Sequence, residues 1–226
     1  MVVKTAISNK ALEFLGNLKN NNDREWLEGN RPIFEDLQRE AKAFFESVRE
    51  NLEGHDDIEK LKIFRIYRDV RFSKDKTPYK THFAASFSRL GSHLRGGYYI
   101  HIEPGGSFLA TGFWNPDKKD LFRIRKELEM DAGEFREAIG NKSLMAHWGD
   151  LKGEAVKTAP KGFDRDHPDI DLIRHKQFIF VREFSDREIT SASFLEEVDR
   201  SYRAIRPFFD LMGQILTTDL NGESVL

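Results

Sequence analysis

The sequence predicts an α+β fold in which helices from the N-terminal and C-terminal parts pack on a mainly antiparallel central sheet. Apolar residues recur at spacings of three and four near both ends, as they do along one face of a helix. In the middle of the chain the period falls to two, which is typical of half-buried strands. The strand patterns are joined by short turns and not by helices, which favours antiparallel pairing.

The N-terminal part is expected to contain three helices. Ser8 suits the N-cap of a first helix, and the following asparagines suit its end. Asn22 and Glu25 resemble a capping box for a short second helix. The third helix is predicted to begin near Pro32 and to end before Gly54, because its apolar residues form a long amphipathic face.

The central part is expected to form the sheet. Phe83, Ala85 and Phe87 alternate with small or polar residues, and a Pro-Gly-Gly turn at 104–106 separates two further alternating stretches. The predicted strands are 82–90, 98–103 and 107–114, with additional candidates at 62–67, 154–158 and 177–184.

Helices resume in the last part of the chain. Asn115 is expected to cap one, with Pro116 in its first turn. Ser193 and Glu196 suit a capping box for a C-terminal helix that Pro207 should kink or break. Because no linker, repeat or low-complexity stretch divides the sequence, we expect one domain over residues 1–226.

Composition limits the classes of function. The 226 residues carry 36 Lys and Arg against 38 Asp and Glu, a net charge of −2, so a preference for anions must be local. The absence of cysteine excludes disulfides and a thiol nucleophile and is compatible with a reducing cytosol. Without an apolar leader or a stretch of about 18 apolar residues, we expect a cytoplasmic protein that does not engage a membrane.

Residues 65–82, which we call the basic segment, contain six Lys and Arg against two Asp, interleaved with aromatic residues. Such a cluster suits phosphate or carboxylate groups. The alternative is a structural loop in which the arginines pair with Asp69 and Asp75. The candidate ligand-binding residues are Arg68, Arg71, Lys74, Lys76, Lys80, Tyr79, His82 and His101.

Two imidazoles and a carboxylate are expected on one polar sheet face if the central strands pair in register. His82, His101 and Glu103 would then suffice for a metal ion or for acid/base catalysis, but the same pattern fits a solvated sheet face. We therefore predict no metal site from the sequence.

Two further motifs have structural interpretations. The acidic residues around Pro168 are typical of helix capping. The glycines from Gly91 to Gly97 have the spacing of a phosphate loop but lack the Lys-Ser/Thr that follows one.

Several short stretches of the sequence are distinctive, and the longest lies in the basic segment. They include Leu18-Lys-Asn-Asn-Asn22, Tyr67-Arg-Asp-Val-Arg-Phe-Ser-Lys-Asp-Lys-Thr-Pro-Tyr-Lys80, Tyr98-Tyr-Ile-His-Ile-Glu103, Gly112-Phe-Trp114 and Pro160-Lys-Gly162. In these stretches, which cover nearly the whole chain, the sequence resembles family 2461 of the domains of unknown function. The resemblance implies a compact α+β domain and brings no activity, cofactor or catalytic residue with it.

The sequence thus favours a protein that binds a phosphate-bearing small molecule, a nucleic acid or another anion through the basic segment. The competing hypothesis is a noncatalytic module that binds an acidic protein partner. If the protein is an enzyme, His82 and His101 are the first candidates for proton transfer. The pattern identifies no nucleophile and no cofactor.

Overall fold

The computed structural model describes residues 5–225 and has an α+β fold. The strands form a five-stranded antiparallel sheet in the order β1-β2-β3-β4-β5. Their bounds are β1 (Ile58–Ile63), β2 (Phe83–Arg89), β3 (Gly97–Ile102), β4 (Ser107–Phe113) and β5 (Phe178–Phe184). The helices are α1 (Asn9–Asn20), α2 (Arg24–Gly29), α3 (Arg31–Glu53), α4 (Lys118–Met130), α5 (Gly133–Ile139), α6 (Lys142–Trp148), α7 (Ile170–Ile173), α8 (Asp186–Ile189), α9 (Phe194–Ala204) and α10 (Arg206–Thr217).

The described chain divides into two compact units. The first comprises residues 5–87, Tyr99–Leu109 and Glu183–Asp199, and the second comprises Ser88–Tyr98, Ala110–Arg182 and residues 200–225. The expectation of one domain over 1–226 stays a prediction. In the part of the chain that the structure covers, no helix combines the length and apolar character needed to cross a bilayer.

The core of the first unit is aromatic. The rings of Phe34 of α3 and Phe83 of β2 are stacked, with their centroids 6.5 Å apart. Phe44 of α3 lies parallel to Phe194 of α9 at 5.3 Å. The period-two pattern is confirmed from Ala85 to Ser88, where Ala85 and Phe87 are buried and Ser86 and Ser88 are not, whereas Ala84 is buried together with Phe83. The N-terminal helix α3 therefore packs on one face of the strands in this unit.

The second unit has its own aromatic core, built around α10. Phe208 contacts Phe180 of β5 with ring centroids 5.2 Å apart, and Phe209 meets Phe113 of β4 edge to face at 6.0 Å. Pro207 stands in the first turn of α10, where its missing N–H costs no hydrogen bond. The predicted break at this proline is confirmed, since α9 ends at Ala204.

Several predicted boundaries are wrong. Asp23, not Asn22, caps α2 by accepting a hydrogen bond from the Trp26 N–H at 2.8 Å. Asp117, not Asn115, caps α4. In both helices a nearby aspartate takes the place of the predicted asparagine as N-cap, because the two residue types cap helices about equally well.

Two strand predictions also need correction. The candidate at 62–67 overlaps β1, but β1 starts at Ile58 and ends at Ile63, because the following residues pair with the returning chain through a Tyr67 to Tyr79 bridge. The candidate at 154–158 is not a strand. It makes an isolated bridge from Ala155 to His175.

Candidate functional site

The polar face of the first unit carries three groups that the sequence separates by up to 21 positions. His82 immediately precedes β2, His101 lies in β3, and Glu103 immediately follows β3. Because β2 and β3 are antiparallel neighbours, the start of one strand lies beside the end of the other. One ligand atom from each residue lies within 4.8 Å of the others. We call these three residues the histidine cluster.

Hydrogen bonds orient the imidazole of His101. Glu103 Oε2 lies 3.2 Å from His101 Nε2, and the Tyr99 hydroxyl lies 3.0 Å from His101 Nδ1. A carboxylate only accepts hydrogen bonds, so Nε2 carries the proton and Nδ1 accepts from the Tyr99 O–H. The Thr81 hydroxyl donates to the other carboxylate oxygen, Glu103 Oε1, at 2.7 Å. Residues 99, 101 and 103 share this face because side chains alternate along a strand.

Aromatic rings surround the cluster. Phe108 of β4 stacks on His101, with ring centroids 4.7 Å apart and an interplanar angle of 15°. The His82 and His101 rings are 4.0 Å apart. Phe108 also lines a cleft of about 400 Å³ together with Glu183. No lysine or arginine is among the described residues that line this cleft, so it offers no cation to an anionic ligand.

Burial decides the protonation of the two histidines. Burial and the neighbouring His101 lower the pKa of His82 to about 4. Burial also lowers the pKa of His101, against the opposing effect of Glu103. Burial raises the pKa of the Glu103 carboxyl, but hydrogen bonds from Thr81 and His101 outweigh it and the net pKa is lowered. At neutral pH the cluster therefore consists of two neutral imidazoles and a carboxylate, which can accept protons or bind a cation.

The outer part of the basic segment is paired internally. Arg71 binds Asp69 through two hydrogen bonds of 2.9 and 2.6 Å, and Arg68 binds Asp75. Lys76 donates to the backbone carbonyl of Val70 at 2.9 Å. These contacts match the structural alternative for Arg68 and Arg71, and all of them are exposed to solvent, where ion pairs contribute little stability.

The remaining predicted residues have different environments. Lys74 is exposed and has neither a hydrogen bond nor an ion pair with another residue of the described chain. The Tyr79 side chain is buried and packs edge to face on Tyr67. Lys80 is half-buried at the base of the segment, two residues before His82.

A group of cations without carboxylate partners lies at the base of the basic segment. The ammonium groups of Lys62 and Lys80 lie 5.1 and 5.4 Å from the centroid of the Phe64 ring. Within residues 5–225, Lys62, Arg65 and Lys80 form no ion pair or hydrogen bond with a carboxylate. The positive charge of Arg65 nevertheless helps to lower the pKa of Asp69 at longer range. We call Lys62, Arg65 and Lys80 the cation group.

The charges of the cation group act on one another. Burial lowers the pKa of Lys80, and the positive charges of Arg65, Arg68 and Lys62 lower it further. Every charged neighbour that shifts this pKa is a cation, so Lys80 lies in a region of positive potential.

The sequence analysis identified Lys80, His82 and His101 as candidates and included Arg65 in the basic segment, but it missed Lys62, Phe64 and Thr81. Their contribution depends on the antiparallel bridge between Tyr67 and Tyr79, which brings residue 80 back to β1. The available signal was the short polar-apolar alternation from Lys60 to Ile63, which favours an extended segment in which positions 62 and 64 lie on one face.

The family comparison covers almost the whole chain. Residues 10–211 match the family model described as "Conserved hypothetical protein (DUF2461)", and the match includes the basic segment, the histidine cluster and the cation group. No curated protein and no solved structure is similar enough to match. The chain therefore belongs to the DUF2461 family of conserved hypothetical proteins.

Proposed function

We propose that the protein binds a phosphate-bearing or other anionic ligand at the cation group. The observation that carries the proposal is the environment of Lys80, which is half-buried among Lys62, Arg65 and Arg68 and lacks an ion-pair partner in the described chain. A half-buried cation beside like charges destabilises the folded protein, and an anion that binds there offsets this cost.

This site shares Lys80 with the ligand-binding residues expected from the sequence but does not rely on the expected Arg68 and Arg71. The guanidinium groups of Arg68 and Arg71 are engaged with Asp75 and Asp69. An anion that bound them would compete with a carboxylate already in place. The cation group faces no such competitor at hydrogen-bonding distance, so it is the better ligand site.

Binding of inorganic pyrophosphate, measured by isothermal titration calorimetry, tests the proposal. Lys80→Met keeps an unbranched side chain beside Phe64 but removes the charge, and we expect it to weaken binding by about tenfold or more, as loss of a charge-assisted hydrogen bond does. Lys74→Met is the matched control, because Lys74 is exposed and unpaired in the described chain. Equal loss in both variants, or no binding by the native protein, would contradict the proposal.

One observation favours the second candidate, a module that binds an acidic protein partner. Phe72 is 97% exposed between Arg71 and Lys74, and an exposed aromatic ring flanked by cations suits an acidic protein surface. Binding of poly-L-glutamate that is lost in Phe72→Ser, with pyrophosphate binding unchanged, would support this second role.

In either role we propose a cytoplasmic protein, since a chain without cysteine suits a reducing compartment.

A further inference from the structure

The histidine cluster has the composition of a metal site and the geometry to form one. We propose that His82, His101 and Glu103 bind one divalent transition-metal ion, with Zn²⁺ as the reference ion. Their ligand atoms all lie within 4.8 Å of one another, so small side-chain rotations can bring them to a common centre. This proposal departs from the sequence-based expectation of no metal site, which was made without knowledge of the strand register.

Supporting hydrogen bonds around the cluster are the second reason for the proposal. Metal-binding histidines usually donate their second ring N–H to a fixed partner. The Tyr99 hydroxyl lies 3.0 Å from His101 Nδ1. Because a hydroxyl both donates and accepts, it can accept a hydrogen bond from Nδ1–H once a metal ion takes the place of the proton on Nε2. Thr81 holds the Glu103 carboxylate through Oε1, which leaves Oε2 directed at His101.

The donor set indicates which class of metal would bind. Mg²⁺ and Ca²⁺ prefer oxygen ligands, whereas two imidazoles and one carboxylate suit Zn²⁺ and related transition metals. Three protein ligands leave at least one position of a tetrahedral ion for a ligand from outside the chain. His82 makes no hydrogen bond within residues 5–225, so its ring can turn toward the ion without breaking one.

Nearby charge sets the expected affinity. Glu103 contributes one negative charge, and Lys80 and Arg68 act on His82 with positive charge. These cations oppose a dication, so we expect micromolar binding and not the much tighter binding of an all-cysteine structural site. The metal proposal does not depend on the anion site, because none of its three ligands belongs to the cation group.

The test uses the full chain, freed of any histidine tag and of metal by treatment with EDTA. Co²⁺ binding is followed by its visible absorption, and Zn²⁺ affinity is measured by competition with a chromogenic chelator. We expect one ion per chain. His82→Ala and Glu103→Gln should each weaken Zn²⁺ binding by at least about tenfold, the usual cost of disturbing a metal site. His93→Ala, in the exposed connection between β2 and β3, should leave it unchanged.

Tyr99→Phe separates a positioning role from a structural one. It should weaken Zn²⁺ binding by about tenfold while the protein remains folded by circular dichroism, because the hydroxyl that bonds to His101 is removed and the aromatic ring is kept. Absence of Zn²⁺ binding by the native chain would overturn the proposal. Binding that survives unchanged in both folded variants, His82→Ala and Glu103→Gln, would place the ion elsewhere and would overturn it equally.

Discussion

The side-chain amide of Asn22 makes two hydrogen bonds with the backbone of Tyr79. Its Nδ2 donates to the Tyr79 carbonyl at 3.0 Å, and its Oδ1 accepts from the Tyr79 N–H at 3.1 Å. Asn22 lies between α1 and α2, so this pair fastens the end of the basic segment to the N-terminal helices of the same unit. Lys80, the next residue, is thereby held at the cation group.

Replacement of Asn22 should therefore cost stability. Asn22→Ala removes both hydrogen bonds and should lower the free energy of unfolding by about 2 kcal/mol, at roughly 1 kcal/mol for each bond. Urea denaturation measures this loss. Asn20→Ala, at an exposed position nearby, should change it by less than about 0.5 kcal/mol. A loss of the same size in both variants would show that the contact with Tyr79 contributes nothing specific.

The acid titration of Asp75 tests the internal pairing of the basic segment. Hydrogen bonds from the N–H and hydroxyl of Thr77, and then from Arg68, lower the pKa of Asp75 to about 2. Since this value lies below the roughly 3.9 of an unfolded aspartate, the interaction stabilises the segment above that pH and is lost as the pH falls through about 2.

Carbon NMR of the aspartate carboxyl groups measures this titration. Asp75 should still be ionised at pH 3 in the native protein. In Thr77→Val, which loses the hydroxyl but keeps the backbone N–H, its midpoint should move upward. A midpoint near that of an unfolded aspartate in the native protein would refute the pairing of Arg68 with Asp75.

Gly112 should not tolerate a side chain. Its φ is +115°, and a Cβ at this position would lie 2.2 Å from the carbonyl oxygen of Phe178 on β5. Gly112→Ala should lower the free energy of unfolding by at least about 2 kcal/mol, since backbone strain alone costs about 1 to 3 kcal/mol. Thermal denaturation of the variant and of the native protein measures this loss.

Gly16 provides the matched control for that substitution. A Cβ there meets no atom within 4 Å, and the residue lies inside α1. Gly16→Ala should therefore stabilise the protein by up to about 1 kcal/mol, because alanine favours the helix more than glycine does. If both alanine variants stabilised the protein, the close approach of β4 to β5 at Gly112 would be disproved.

Local patterns predicted most of the fold. The amphipathic face of α3 and the alternation in β2, β3 and β4 are properties of neighbouring residues, and the structure has these elements where the sequence indicated them. The helix caps were less predictable. Asn22 and Asp23 have similar capping preferences, and only the contact of Asn22 with Tyr79, 57 positions away, distinguishes them.

The candidate site was predictable only in part. Alternation along β3 placed His101 and Glu103 on one face, and antiparallel pairing added His82. The spacing of the cations could not predict which of them pair with carboxylates, since the pairing depends on how the segment folds back. That fold pairs Arg68 and Arg71 with Asp75 and Asp69, and it leaves Lys80 beside Lys62 and Phe64.

The central claim is that the cation group binds an anion. The most direct measurement is a crystal structure of the protein soaked with tungstate, a phosphate analogue whose anomalous scattering locates it without ambiguity. We predict a tungstate ion within hydrogen-bonding distance of Lys80 and at least one of Lys62 and Arg65. Tungstate bound only at Arg71 or Lys74, or no ordered ion in a crystal where the cation group is open to solvent, would contradict the claim.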